Sequence, residues 1–365
     1  MGMLEGITVV DLSQFLPGPV MTMMMADQGA RVIKVEPPSG DPARQMEPFE
    51  AGHSVWFANC NRGKESVALD LKSDAGKAAL RALCAEADVF VEGFRPGAIA
   101  RLGFDYDAVR AIRPDVIYCS ISAFGQDGPL ADHPAHDMAV QAMTGHLAMN
   151  DGADGKPVVP GVPAADMAAS LTALSGVLMA LIGRARTGEG AYLDCAMFDA
   201  LLPWTSHIAG PAIAGGESPV SASQRSTGGA ALYQVYATAD GGHIALAGRE
   251  PKFAKALLEG LGREDLLDLA LRPAGEQSEL IAVLRETFAS RTRAEWEDWF
   301  HGRDVAFAPV LDFREAFDAP QVRERGLMVT APDGSHHIAP AIRFAGQDKW
   351  SPGAVPGLGD AADAG

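Results

Sequence analysis

The sequence is poor in cationic side chains. Its 365 residues include 30 Lys and Arg against 47 Asp and Glu, which gives a formal net charge of -17 at pH 7. Nucleic acids and anionic membranes are bound largely by Lys and Arg that release counterions from phosphate groups, so this deficit argues against either partner. Any anionic ligand must therefore use a local basic pocket.

Cysteine and long apolar segments are also scarce. Four cysteines, Cys60, Cys84, Cys119 and Cys195, have neither paired nor metal-like spacing, which predicts reduced structural thiols. The first residues lack the basic stretch and long apolar region of a secretory signal, so we expect a cytoplasmic protein. The apolar stretch 167–182 is rich in Ala, Ser and Thr and is short for a membrane span, which favours a buried helix.

Nucleotide-binding glycine motifs are missing too. No Gly-x-Gly-x-x-Gly follows a predicted strand and no Walker loop occurs, so the nicotinamide, flavin and P-loop fingerprints are absent. The first third of the chain nevertheless alternates strands with helices. Strands are predicted at 7–12, 30–36, 67–69, 89–92 and 116–122, and helices at 19–28, 73–87 and 106–112. This alternation predicts an α/β, Rossmann-like, doubly wound parallel sheet with ligand sites at the carboxyl ends of its strands.

The length predicts a second domain, because 365 residues exceed the size at which a single core stops growing. A large domain is expected at 1–209, with buried helices at 135–149 and 164–186. Residues 210–229 are rich in Gly, Ser and Ala and are predicted to form a linker. Residues 230–328 predict a smaller α+β domain with a hairpin at 232–238 and 243–247 and helices at 251–261, 277–290 and 292–301. The last segment, 329–365, is rich in Pro and Gly.

Three acid/base residues stand in separate contexts: His136 before Asp137, Asp166 in Ala-Ala-Asp-Met, and Glu250 before Pro251. Two proton acceptors on opposite faces of one carbon, with a carboxylate orienting one of them, are what racemisation requires. Plainer interpretations exist. His136 could be a loop residue with a local hydrogen bond, Asp166 an N-cap kept ionised by the helix dipole, and Glu250 a first-turn residue. His133, His146 and His243 are expected to be structural.

The chain resembles the family III CoA-transferases, the CaiB/BaiF superfamily, which also contains α-methylacyl-CoA racemase. The resemblance runs almost end to end. Its segments are 4–12 (LEGITVVDL), 17–19 (PGP), 27–30 (DQGA), 32–37 (VIKVEP), 61–64 (NRGK), 69–72 (LDLK), 91–97 (VEGFRPG), 125–129 (GQDGP) and 188–190 (GEG).

The resemblance implies an interlocked homodimer with an active site shared between subunits. It also implies that 329–365 returns to the large domain, and that CoA is part of the substrate, with no separate cofactor and no metal. The positions matching its CoA contacts are Arg62, Lys72 and Arg95 for the phosphates, Phe94 with the backbone near Phe15 and Leu16 for the adenine or pantetheine, and the helix start at Asp137 for the thioester oxygen. Arg62 and Lys72 could instead simply solubilise loops.

Two reactions occur in this family. In transferases an aspartate at the position of Asp166 attacks the thioester and forms an anhydride. In racemases this aspartate works with a histidine, matched here by His136, although Ala135 replaces the usual glycine. Transferases typically have Tyr-Asp at that place and a glycine-rich loop after the small-domain hairpin. This chain has neither, and its Glu250-Pro251 follows the racemase pattern, in which the glutamate orients the histidine.

The resemblance therefore predicts a racemase or epimerase of 2-methyl-branched acyl-CoA thioesters that transfers a proton through an enolate. The alternative is a transferase that moves CoA between carboxylic acids, and a third reading is a non-catalytic acyl-CoA-binding protein. Residues 167–170 replace a glycine-rich stretch of relatives, which predicts a differently shaped acyl pocket.

Overall fold

The computed structural model describes residues 2–152, 154–346 and 349–363, so predictions that touch residues 1, 153, 347–348 and 364–365 lie partly outside it. The chain divides into two compact units. The large unit comprises the described residues of 1–144, 160–204 and 320–365. The small unit comprises those of 145–159 and 205–319. The domain boundaries at 209, 229 and 328 remain sequence predictions.

The secondary structure alternates strands with helices over the first part of the large unit. The strands are β1 (Thr8–Asp11), β2 (Arg31–Glu36), β3 (Phe49–Glu50), β4 (His53–Ser54), β5 (Glu65–Ala68), β6 (Val89–Glu92), β7 (Ile117–Ser122), β8 (Ala191–Ala196), β9 (Tyr233–Ala237), β10 (His243–Ala247), β11 (Phe307–Pro309), β12 (Met328–Thr330) and β13 (His336–Ile338). The helices are α1 (Pro17–Ala26), α2 (Val55–Asn61), α3 (Asp74–Glu86), α4 (Ala98–Leu102), α5 (Tyr106–Ile112), α6 (Asp137–Met143), α7 (Ala164–Thr187), α8 (Met197–Leu201), α9 (Gly210–Gly215), α10 (Pro251–Leu261), α11 (Leu267–Ala270), α12 (Ser278–Phe288), α13 (Arg293–Phe300), α14 (Phe313–Phe317) and α15 (Pro320–Glu324).

The large unit is built on a parallel sheet in the order β5-β2-β1-β6-β7-β8. From β1 the chain adds β2 and β5 on one side, then returns to place β6 on the other side of β1. The neighbours β1 and β6 therefore form the point where the winding direction reverses. The predicted doubly wound α/β fold is confirmed, whereas the interlocked homodimer stays a prediction.

Both faces of this sheet are covered, because successive strand residues point to opposite sides. Val9, Val89 and Ile117 pack into one core with α1, α7 and α8. Val10, Phe90 and Tyr118, each one residue further along its strand, pack into a second core with α3 and α5. Three methionines of α1, Met21, Met23 and Met25, are buried.

The small unit has its own core. Its antiparallel sheet has the order β11-β10-β9, and the pair β9 and β10 is the predicted hairpin. Tyr236, Phe288, Trp296 and Phe300 pack against one another beside it. The Trp296 indole donates to Phe288 O at 2.8 Å, so this buried polar group has a partner.

The helix α7 differs from its prediction as a buried helix. One face packs into the core, but Met179 and Ile182 are 71% and 63% exposed. It is long and apolar enough to cross a membrane by length and composition, and 39% of its most apolar 18-residue window is buried.

Two elements of the large unit differ from the sequence prediction. The predicted helix 135–149 ends at Met143, because Gly145 adopts a left-handed φ of 84°, and a short 3₁₀ turn follows at Leu147–Met149. Strand β8 was not predicted. It lies at the edge of the sheet and its first residues are exposed or half-buried, so it lacks the apolar run of a central strand.

Candidate active site

A cleft of about 690 Å³ opens at the carboxyl ends of β1, β6 and β7 in the large unit. Its walls are the loop 12–18 after β1, the loop 93–96 after β6, residues 121–123 at the end of β7, residues 131–136, and the side chains Trp56, Met138, Ala139, Asp166 and Met197. Parallel sheets bind ligands where the winding direction reverses, because the loops there diverge and leave a crevice. The predicted position of a ligand site agrees with this cleft.

His136 and Asp166 line this cleft together. His136 is exposed and occupies the N-cap position of α6, and Asp166 lies in the first turn of α7. The two helix starts are joined by Asp137, whose Oδ1 accepts hydrogen bonds from the backbone N–H groups of Ala165 at 2.7 Å and Asp166 at 3.2 Å. Gln141 donates to the other carboxylate oxygen of Asp137 at 2.6 Å. Residues that are 30 positions apart in sequence are thus brought to one cavity.

The carboxyl group of Asp166 is half-buried and has no hydrogen-bond partner among the described residues. Burial raises its pKa to about 7, and the negative charge of Asp137 acts in the same direction. Two expectations about Asp166 are therefore wrong. It is not the N-cap, which is Pro163, and the helix start does not keep its pKa low. A carboxyl group with a pKa near 7 can both donate and accept a proton at neutral pH.

Glu250 belongs to the small unit, where it is the N-cap residue of α10. Its carbonyl accepts a hydrogen bond from Phe253 N at 2.9 Å, but its carboxylate makes no capping bond and is exposed. The predicted action of Glu250 on His136 remains a prediction.

Four of the predicted CoA contacts line the cleft: Phe15, Leu16, Phe94 and Arg95. The Phe94 loop is fixed by Glu92, whose carboxylate accepts a hydrogen bond from Phe94 N at 2.8 Å. The Arg95 side chain is exposed and forms no ion pair with the described residues, so its guanidinium is available for a phosphate.

The other three predicted CoA contacts do not line the cleft. Arg62 is buried, pairs with Asp27 at 2.7 Å and stacks on Trp350 at 4.8 Å, so the structure gives it a structural role. Lys72 is exposed in the turn before α3, away from the residues that form the cavity. The carboxylate of Asp137 is engaged in its internal hydrogen bonds, so only its backbone is left for the predicted contact.

The cleft also contains residues that the sequence did not single out. Trp56, Met138 and Met197 add an apolar surface beside His136 and Asp166. A single tryptophan or methionine carries no spacing signal, and these three come together only in the folded sheet.

The residues that the structure describes contain no candidate metal-binding cluster, and their cysteine thiols are buried. No group of three or more His, Cys, Asp or Glu residues is arranged to hold a metal ion there. The four cysteines are free and buried, as expected. Burial raises the pKa of Cys60 to about 11 and that of Cys195 to about 12, so both thiols stay protonated at neutral pH.

Comparison with known proteins places the chain in a family. The sequence pattern of CoA-transferase family III matches residues 4–361. The chain belongs to this family. The family comparison confirms the resemblance and makes the chain a member of an enzyme family that acts on acyl-CoA substrates.

Family relatives catalyse both reactions considered above. The chain is 36% identical to the acetyl-CoA:oxalate CoA-transferase of Acetobacter aceti, over 90% of this chain and 86% of that protein. It is 33% identical to human succinyl-CoA:glutarate CoA-transferase, over 89% and 76%. It is also 33% identical to human alpha-methylacyl-CoA racemase, over 93% and 85%. Overall similarity thus gives the transferase alternative at least as much support as the racemase prediction.

The fold agrees with a solved family structure. A CAIB/BAIF family protein from Brucella suis superposes with a TM-score of 0.87 at 32% identity, covering 100% of this chain and 98% of that one. The sheet and cleft described above therefore belong to a fold already observed in this family.

Proposed function

We propose that this family III enzyme racemises or epimerises 2-methyl-branched acyl-CoA thioesters by proton transfer at the α-carbon. The observation that supports this function is that His136 and Asp166, two proton-transfer groups of different chemistry, line the same cleft. A transferase needs only the aspartate. The substrate's CoA portion is assigned to the wall formed by Phe15, Leu16, Phe94 and Arg95.

In one direction, neutral His136 removes the α-proton. The C–H bond breaks, its electron pair delocalises onto the thioester oxygen, and the imidazole becomes imidazolium. Protonated Asp166 then donates its proton to the opposite face of the planar enolate. The reverse reaction starts from the Asp166 carboxylate and imidazolium. The pair therefore holds one proton before and after each conversion, and two while the enolate is present. A pKa of Asp166 near 7 suits both roles. Glu250, if it reaches His136, would orient the imidazole.

A second candidate is CoA transfer between carboxylic acids, favoured by the higher identity to the oxalate CoA-transferase. In that reaction the Asp166 carboxylate attacks the thioester carbon, the C–S bond breaks and CoA leaves as thiolate, leaving a mixed anhydride. This step requires the ionised carboxylate, and only part of the Asp166 population is ionised at neutral pH when its pKa is about 7.

Single substitutions distinguish the two candidates. His136→Ala and Asp166→Ala should each lower the racemisation rate at least about 100-fold, because each removes one proton-transfer group. Both should retain CoA binding. Glu250→Gln should have a smaller effect, since it orients and does not transfer protons. Racemisation of one enantiomer and CoA transfer to an added carboxylate are measured for every variant.

The control is His243→Ala, which removes an exposed histidine on β10 of the small unit and should leave racemisation within about threefold of the unmodified enzyme. If His136→Ala keeps full turnover while Asp166→Ala abolishes CoA transfer, the transferase function replaces the racemase one.

A further inference from the structure

A buried ion pair contacts the loop 12–18 that lines the cleft. Asp11 is the last residue of β1, and its carboxylate is 3.0 Å from Lys64 Nζ, with both side chains fully buried. The ammonium group also contacts Pro19 O at 3.0 Å and Asn61 Oδ1 at 2.8 Å. Lysine has three N–H donors, and all three are therefore satisfied. Only such complete hydrogen bonding makes a buried ion pair tolerable.

The carboxylate of Asp11 in turn fixes the start of the cleft loop 12–18. It accepts hydrogen bonds from the backbone N–H of Ser13 at 2.9 Å and from the Ser13 hydroxyl. Thr22 of α1 donates to its other oxygen at 2.6 Å. Lys34 Nζ donates to the Ser13 carbonyl at 2.9 Å. The N–H, carbonyl and hydroxyl groups of Ser13 therefore all have buried partners.

The backbone of the loop 12–18 is strained. Phe15, which lines the cleft, has a left-handed φ of 63°, and this conformation costs free energy for a residue with a side chain. The loop also closes tightly on itself, because a Cβ atom on Gly18 would lie 2.2 Å from the Ser13 hydroxyl oxygen. Strained backbone of this kind persists when the surrounding contacts over-determine it.

We propose that Lys64 is a positioning residue for acyl-CoA: its ion pair with Asp11 holds the loop 12–18, including Phe15, in the conformation that binds the CoA portion of the substrate. The proposal rests only on acyl-CoA binding in the proposed function and holds for either reaction. Burial lowers the pKa of Lys64 to about 8, while Asp11 opposes this shift. Burial would raise the pKa of Asp11, but the charges of Lys64 and Lys34 and the hydrogen bonds from Ser13 and Thr22 together outweigh it and hold the pKa at about 2. Both groups are therefore charged at neutral pH.

Two single variants and one double variant test this proposal through the dissociation constant of an unreactive thioether analogue of an acyl-CoA. Lys64→Met leaves the Asp11 carboxylate buried and unpaired, and should weaken analogue binding at least about tenfold. Thr22→Val removes one hydrogen bond to Asp11 with little change of shape, and should weaken binding by about two- to fivefold. This milder variant provides the measurement if Lys64→Met does not fold.

The double variant Asp11→Asn/Lys64→Met removes both charges but keeps an amide oxygen that can accept the Ser13 N–H bond. It should bind the analogue more tightly than Lys64→Met, because it leaves no unpaired buried charge beneath Ser13. The matched control is Arg44→Met, which breaks the nearly buried Arg44–Glu36 pair away from the cleft and should leave the dissociation constant within about twofold.

The proposal is overturned if folded Lys64→Met and Thr22→Val bind the analogue like the unmodified enzyme, or if Arg44→Met weakens binding as much as Lys64→Met. It is also overturned if the double variant shows no recovery. Failure of the proposed reaction is recognised separately, because it appears as absent α-proton exchange in the unmodified enzyme.

Discussion

At the scale of single residues, the carboxylate of Asp137 has two effects on the cleft. Its hydrogen bonds to the N–H groups of residues 165 and 166 fix the start of α7 beside His136. Its negative charge adds to burial in raising the pKa of Asp166. The residue that aligns the proposed proton-transfer pair therefore also helps to raise the pKa of Asp166 toward 7.

The raised pKa of Asp166 predicts a stability cost. The pKa is about 7 in the folded chain against an ordinary value of 3.8, so folding takes up a proton between these values and ionised Asp166 disfavours the fold above pH 7. Asp166→Asn should therefore stabilise the protein by roughly 2–4 kcal/mol at pH 8. The gain should shrink as the pH falls and vanish below about pH 4. Chemical denaturation at several pH values measures it.

Asp11→Asn is the control of opposite sign for this prediction. The pKa of Asp11 is about 2, below its ordinary value, so its ionised form stabilises the fold above pH 4 and that contribution is lost as the pH falls toward 2. Asp11→Asn should therefore destabilise the protein at pH 8. If Asp166→Asn also destabilises it at pH 8, the raised pKa of Asp166 is refuted.

At the scale of elements, a hydrogen bond connects the N-terminal parts of α1 and α7. The buried hydroxyl of Ser170 lies 2.8 Å from Pro17 O and 2.9 Å from Asp166 O. The turn that carries Asp166 is thereby tied to the end of the Phe15 loop. One hydroxyl group thus connects the helix turn that carries Asp166 to the start of α1, and both line the cleft.

Removal of this hydroxyl group tests the connection. Ser170→Ala should lower the free energy of unfolding by about 1–2 kcal/mol, because it removes the hydrogen bonds that the buried Ser170 hydroxyl makes to Pro17 O and Asp166 O. Ser175→Ala is a matched control on the same helix. Ser175 is exposed and bonds only to Leu171 O within its own helix, so its loss should change stability by less than about 0.5 kcal/mol. Equal effects of the two substitutions in urea denaturation would contradict the connection.

The elements also explain what the sequence could and could not predict. Short apolar runs predicted β1 and β6, and the family resemblance placed Phe15, Phe94 and Arg95 on the loops that follow these strands. The burial of Arg62 against Asp27 is not visible in the local sequence, because the two residues are 35 positions apart. The ion pair of Lys64 with Asp11 spans 53 positions and is hidden for the same reason. Asp166 was found, but its pKa depends first on burial and then on the charge of Asp137, and only the fold creates both.

At the scale of the whole molecule, the proposed proton-transfer pair and the predicted orienting carboxylate belong to different units. His136 and Asp166 belong to the large unit, and Glu250 belongs to the small unit, each with its own hydrophobic core. Similarity over the full chain places the protein in CoA-transferase family III, but it does not choose between the two reactions of that family. The choice depends on His136, a single position that contributes almost nothing to overall identity.

The most direct test of this choice is solvent exchange at the α-carbon. One enantiomer of a 2-methyl-branched acyl-CoA is incubated with the unmodified enzyme in deuterated buffer, with no second carboxylic acid present, and deuterium content and configuration are followed together. The account predicts deuterium incorporation at the α-carbon accompanied by loss of optical purity. Retention of the α-proton and of configuration, combined with CoA transfer once a carboxylate is added, would contradict it.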